Sequence, residues 1–102
     1  MDPPSVRLAS VDDGVVVGFA TYATHPAHVE LEALFVDPDH RRRGHAGRLM
    51  DMVVATARRA GVARVEVTAN EHASDFYAAA GFVPVGVVEL RFGPVPRMHR
   101  AI

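Results

Sequence analysis

Between residues 29 and 60 the chain changes its period. "VELEALFV", 29–36, opens with apolar and polar residues in alternation and is rich in strand formers. "DPDHRRRGHAG", 37–47, is a charged break rich in turn formers. "RLMDMVVATARRA", 48–60, brings its apolar residues round at helical spacing. A strand that runs through a glycine-bearing turn into a helix restricts the chain to layered α/β architectures, because the strand and the helix must share a core. Three consecutive arginines, Arg41, Arg42 and Arg43, crowd that turn, with Gly44 and Gly47 around a His-Ala pair.

The rest of the chain falls into place around this junction. Residues 6–10 alternate as a short strand. Asp13-Gly14 signals a tight hairpin, since both types tolerate positive φ, so Val6–Val11 should pair with Val15–Ala23. In 29–36, the two-residue period of a strand puts Val29, Leu31, Ala33 and Phe35 on one face and Glu30, Glu32, Leu34 and Val36 on the other. Asp37-Pro38 stops the strand. From Gly44 to Ala60, Leu49, Met50, Val53 and Ala57 share a helical face, and Gly61 is a natural C-terminal cap. "ARVEVTA", 63–69, reads as a strand. Asn70 can cap a second helix over 71–80, with Ala73, Phe76, Tyr77 and Ala80 on one side and Gly81 ending it. "FVPVGVVELRFG" and "PRMHRAI" supply the last strands. The expected order is β-β-β-α-β-α-β-β in one domain, residues 1–102. It comprises a three-strand antiparallel part (6–36), an α-β-α part (37–81) and C-terminal strands (82–102).

Composition removes several function classes. The chain has 102 residues, a length at which folding buries about two-thirds of the unfolded chain's surface. It has no cysteine, which excludes disulfides, thiolate nucleophiles and cysteine-based zinc sites. The formal net charge of −1 argues against a general nucleic-acid binder. No apolar run reaches membrane-spanning length, and the N-terminal residues do not read as a secretory signal, so a cytoplasmic location is the expectation. His25-x-x-His28 has short spacing but lies in a loop with no second pair, so no metal is expected. His45 and His72 are read as surface residues.

The arginine-glycine turn fits an anion. A helix N-terminus offers unpaired N–H groups and the positive end of a dipole, and small residues let a phosphate approach the backbone. The turn is neither a Walker loop nor a dinucleotide fingerprint. On these grounds alone a phosphate site and a solvated charged turn remain equal readings.

Arg41-x-x-Gly44-x-Ala46 resembles the R/Q-x-x-G-x-G/A pyrophosphate loop of the GNAT (GCN5-related) N-acetyltransferases. "LFVDPDH" before it is similar to that family's fourth strand and its exit. "NEHASDFYAAAGF" is similar to its N…A…Y…GF helix, with Asn70, Ala73, Tyr77, Gly81 and Phe82 in register. The resemblance covers roughly residues 6–95. It implies an α/β (α+β) fold with a mixed, mostly antiparallel central sheet flanked by two helices. It also implies an N-acetyltransferase that moves acetyl from acetyl-CoA to a primary amine in a ternary complex, with no metal.

By the same resemblance, the backbone of Leu34, Phe35 and Val36 pairs with the pantetheine arm. The loop of Arg41, Arg42, Arg43, Gly44, His45, Ala46 and Gly47 holds the pyrophosphate, chiefly through backbone N–H groups from 42 to 47. Asn70 touches the pantetheine, and Tyr77 protonates the leaving thiolate. A base fits at Glu30, as in some histone-type members, or at Glu32, as in many small-molecule members, with Glu32 slightly preferred. The family's usual leading strand and two helices have no counterpart before the hairpin, so the domain is expected to be N-terminally abbreviated. That leaves apolar sheet surface, hence an expected homodimer. The alternatives are a non-catalytic acyl-CoA-binding module and, behind it, a phosphate- or RNA-binding domain.

Overall fold

A computed structural model describes residues 2–70 and 72–102. Six strands and two helices follow in order: β1 (Val6–Asp12), β2 (Val15–Thr24), β3 (His28–Val36), α1 (His45–Ala60), β4 (Arg64–Thr68), α2 (Ser74–Ala79), β5 (Val83–Leu90) and β6 (Gly93–Ala101). A single 3-10 turn, Pro38–His40, separates β3 from α1. The strands form one sheet in the order β1-β2-β3-β4-β6-β5. Every neighbouring pair is antiparallel except β3 and β4. That parallel pair needs a crossover, and α1 supplies it. The expected mixed, mostly antiparallel α/β fold is the one found.

Local chemistry accounts for the elements. Asp13 and Gly14 take φ of 51° and 77°, the left-handed pair that closes a two-residue hairpin. Helix α1 buries Leu49, Met50, Val53, Val54 and Ala57 against Val29 and Leu31 of β3 and Val65 and Val67 of β4. Each fully buried Leu or Val stabilises by roughly 1.5–3 kcal/mol, so this stripe seats the helix. Gly61, at φ 73°, ends it by donating its N–H to the carbonyls of the last turn. Tyr77 of α2 joins the same cluster, so both helices cover one face of the sheet. The opposite face carries Glu30, Glu66 and Arg97, linked by ion pairs.

Two expectations change. Alternation in β3 fails at its middle. Thr21 pairs with Ala33 while Tyr22 pairs with Leu31, so Glu32 is an extra, bulged residue. Beyond it the phase inverts: Leu34 and Val36 pack on the core, whereas Ala33 and Phe35 are exposed. The second helix starts later than 71, at Ser74. The Asn70 side-chain oxygen accepts from the N–H groups of His72 (3.0 Å) and Ala73 (2.8 Å), which holds the approach as a turn. Glu71, its expected first residue, lies outside the described residues.

The bulge also opens the sheet. β3 and β4 pair only from His28–Arg64 to Leu31–Val67. β4 then continues against β6 alone, where Thr68 pairs with Arg97. Among the described residues, the β4-facing edge of β3 therefore has no partner strand from Glu32 to Val36.

Candidate functional site

The open half of β3 leads directly into the arginine turn. Asp37 donates its N–H to the Val17 carbonyl at 2.7 Å, anchoring the turn to β2. The Asp37 carboxylate accepts from the Asp39 N–H at 2.9 Å and caps the 3-10 turn. Arg42 (φ 65°) and Gly44 (φ 82°) then take left-handed conformations. The first backbone N–H after the turn to find a carbonyl is that of Arg48, bonded to Gly44. Among the described residues, the six N–H groups from Arg42 to Gly47 have no acceptor. Six unbonded donors in sequence at a helix start form an anion cradle. The first turn of α1 has no acidic residue to neutralise its dipole. A Cβ placed at Gly44 or Gly47 would meet nothing within 4 Å, so the approach to the cradle is clear.

Two hollows meet here. One of about 280 Å³ is lined by the cradle, including His40, Arg41, Arg42, Gly44, Ala46 and Gly47. The other, about 450 Å³, runs along Leu34, Phe35 and Val36 to Asn70 and Tyr77. They share Val36, Arg41, Ala46 and Phe76, so the cradle and the open strand edge bound one continuous cleft.

Most of the expected binding residues therefore come together, with two differences. Arg43 turns away to Asp12 of β1, at 3.6 Å. His45, read from sequence as surface, is 3% exposed, with its ring against β1. It sits four residues before Leu49, on the buried stripe of α1, a spacing the sequence offered. His72 is exposed, as expected. The ring of His40 lines the smaller hollow, and its buried Nδ1 has no hydrogen-bond partner.

At the far end of the cleft, Tyr77 packs edge-on to Phe76 and Phe82, each with ring centres 5.4 Å away. Burial pushes its phenol pKa above the usual value, because the phenolate is the form that loses solvation. Its hydroxyl has no hydrogen-bond partner among the described residues. Tyr77 thus carries a neutral, uncommitted proton at the cleft wall. Asn70 lines the same cleft while its side-chain oxygen caps the turn.

The two glutamates part company. Glu30 takes a paired contact from both terminal nitrogens of Arg97, each at 2.5 Å. Arg97 also reaches Glu66 at 2.9 Å and the Thr68 hydroxyl at 3.0 Å, while Arg64 holds Glu66 at 2.6 Å. His28, stacked on His25, adds contacts to both carboxylates. Burial works against the Glu66 carboxylate, yet hydrogen bonds from Arg64 and Arg97 outweigh it and lower its pKa. The bonds from Glu30 push the Arg97 pKa upward. Glu32 is exposed at the bulge and accepts from the Ser5 hydroxyl at 2.7 Å. Neither Glu30 nor Glu32 lines the cleft. Arg97 and Glu66 were missed from sequence, because only the strand order brings β3, β4 and β6 together.

Sheet, crossover helix and cleft define an α/β protein with an opened parallel pair above a helix start whose N–H groups are unbonded. The chain belongs to the acetyltransferase (GNAT) family, whose sequence profile matches residues 1–82. It is 35% identical over 96 residues to a Mycobacterium tuberculosis protein described as an uncharacterized N-acetyltransferase, covering 90% of this chain and 62% of that protein. The chain thus spans about three-fifths of the length of the curated relatives it matches. Its fold matches a crystal structure of an acetyltransferase from Bacillus cereus, with TM-score 0.85 and 21% identity over 97% of this chain and 74% of that one. It also matches an aminoglycoside 6'-N-acetyltransferase complexed with coenzyme A, with TM-score 0.83 and 19% identity over 95% and 72% of the two chains.

Proposed function

We propose that the chain binds acetyl-CoA in this cleft and transfers its acetyl group to a primary amine by direct attack in a ternary complex. The observation that carries the reading is the continuity of three features: six unbonded N–H groups, an unpaired strand edge, and a buried neutral tyrosine at the end of that edge. A diphosphate fits the first, an amide-bearing pantetheine arm the second and a leaving sulfur the third. The solved relative holding coenzyme A supports the choice of cosubstrate.

Acetyl-CoA supplies an activated thioester. The N–H groups of residues 42–47 hold its diphosphate, with Arg41 and Arg42 adding charge. Leu34, Phe35 and Val36 bind the pantetheine amides through their backbone, as an added strand would. Asn70 contacts the same arm. The acceptor nitrogen attacks the carbonyl carbon, the C–N bond forms and the C–S bond breaks. Tyr77 gives its proton to sulfur. Glu32 takes the acceptor's proton, directly or through water. We prefer it to Glu30 because Arg97 holds both oxygens of Glu30.

The protein is expected in the cytoplasm, as a homodimer. Exposed apolar side chains at Phe35, Val83, Val85, Val87, Leu90 and Phe92 support the pairing. Sedimentation giving a monomer at micromolar concentration would remove the dimer. One observation favours the second reading, a non-catalytic acyl-CoA-binding module: neither glutamate lines the cleft. Tyr77→Phe separates the two. An enzyme loses rate on the order of a hundredfold with CoA affinity kept, whereas a binding module has no turnover to lose.

A further inference from the structure

His45 carries more than its place in the cradle requires. Its backbone N–H is one of the six free donors, but its ring is the buried polar group of the core side, 3% exposed. Three elements close on that ring. From β1, Ser10 Oγ lies 2.7 Å from Nδ1 and Asp12 Oδ2 lies 3.8 Å from Nε2. From the next turn of α1, the Arg48 guanidinium lies 2.8 Å from Nδ1. From the 3-10 turn, the His40 ring stands edge-on at 6.4 Å. Arg43 of the cradle shares Asp12 at 3.6 Å.

These contacts point to one tautomer. A guanidinium only donates, so Nδ1 must accept, and the ring proton sits on Nε2. Nε2 faces Asp12 at 3.8 Å, beyond hydrogen-bond range, with its N–H dipole directed to the carboxylate. Meanwhile the cradle has no internal backbone bonds from 42 to 47, and Arg42 is in a strained left-handed conformation. Its direction is set at its ends: by Asp37 on the Val17 carbonyl, and by His45 on Ser10. Both ends rest on the β1–β2 hairpin. Gly18 allows that hairpin to lie close to β3, since a Cβ there would come within 2.7 Å of the Phe35 carbonyl oxygen.

We propose that His45, in its neutral Nε2–H form, is a positioning residue that ties the anion cradle to the hairpin and so aims the six N–H groups at the diphosphate. The proposal rests on the acyl-CoA reading above. The role assigned to the ring is this contact with β1, not a contact with the ligand.

The test uses the whole chain, calorimetric titration with CoA, and three variants. His45→Leu and His45→Gln lose the acceptor at the Nδ1 position and should weaken CoA roughly tenfold at pH 7.5, the scale of a small misalignment of binding groups. His45→Asn places Oδ1 where Nδ1 was and should stay within about threefold of wild type. If His45→Leu fails to fold, the Asn and Gln pair carries the comparison. Equal affinities for Asn and Gln overturn the proposal. So does a long-range 1H–15N spectrum of the ligand-free protein that shows the proton on Nδ1. Wild type that binds no CoA overturns the acyl-CoA reading and this role with it. The spectrum, which needs no ligand, still reports whether the tie exists.

Discussion

The two halves of β3 differ in almost every respect, although nine residues make the whole strand. From His28 to Leu31 it is a closed interior strand. β2 and β4 flank it, one face is buried under α1, and Glu30 on the other is clamped by Arg97. From Glu32 to Val36 the β4-facing edge is bare, the side chains have changed sides, and the strand ends in the anion cradle. One bulged residue, Glu32, separates them. The difference teaches how a stable sheet acquires a cleft: the first half supplies rigidity, and a single inserted residue turns the second half away from its neighbour.

If the division is right, damage to the first half should cost stability and leave binding intact. Arg97→Ala is the largest such case. It leaves two partly buried, neighbouring carboxylates, with only His28 beside Glu30 and with Arg64 and His28 beside Glu66. It should cost about 3 kcal/mol in urea unfolding, the low end for a broken buried pair because Arg97 keeps 23% of its side chain exposed. CoA affinity of the folded protein should be unchanged. The same network gives a pH dependence. The Glu66 pKa is lowered on folding, so its contribution is present above the ordinary glutamate value and is lost as pH falls through its folded value. Acid unfolding of Arg97→Ala should therefore be shallower than that of wild type.

Tyr77→Phe, in the second half's cleft, should do the reverse. Activity should drop on the order of a hundredfold with little change in melting temperature. The raised phenol pKa puts the alkaline limb of the wild-type rate profile above the usual tyrosine value of 10. A limb well below that value would assign the proton to another group. The glutamates sharpen the boundary further. Glu30→Gln should lower stability by about 1 kcal/mol through its weakened contact with Arg97. Glu32→Gln, exposed, should change stability by less than about 0.5 kcal/mol while slowing turnover. An unchanged rate in Glu32→Gln would remove Glu32 as the base.

The smallest effect is also the most selective. Gly47 lies in the first turn of α1 with open space around its missing Cβ. Gly47→Ala should add up to about 1 kcal/mol of helix stability and yet weaken CoA, because the methyl stands in the approach to the cradle. Stability and affinity moving together would show that Gly47 is an ordinary helix residue.

Much of this was legible in the sequence because it is local. Asp13-Gly14 announces its hairpin, Gly61 ends its helix, and the arginine-glycine turn after an apolar strand marks the cradle. The bulge was not legible. "ALFV" after Glu32 is apolar at every position, so the pattern carries no phase, and only pairing with Thr21 and Tyr22 sets it. The Arg97 network was hidden for a similar reason, since its members lie up to 67 residues apart. The second helix was overextended because Asn70 caps a turn before the helix and not the helix itself. His45 was readable from its spacing to Leu49, but the charged turn around it pointed to the surface.

The central claim is that the bare edge of β3 and the cradle form one acyl-CoA site. Backbone amide shifts in a 1H–15N titration test it most directly, with CoA against adenosine 3',5'-bisphosphate as the shorter ligand. The account predicts that CoA moves the amides of 34–36, 41–47 and 77 together, and that the shorter ligand moves those of the cradle with 34 and 77 left in place. No perturbation by CoA, or perturbation confined to the Glu30–Arg97 face, would contradict it.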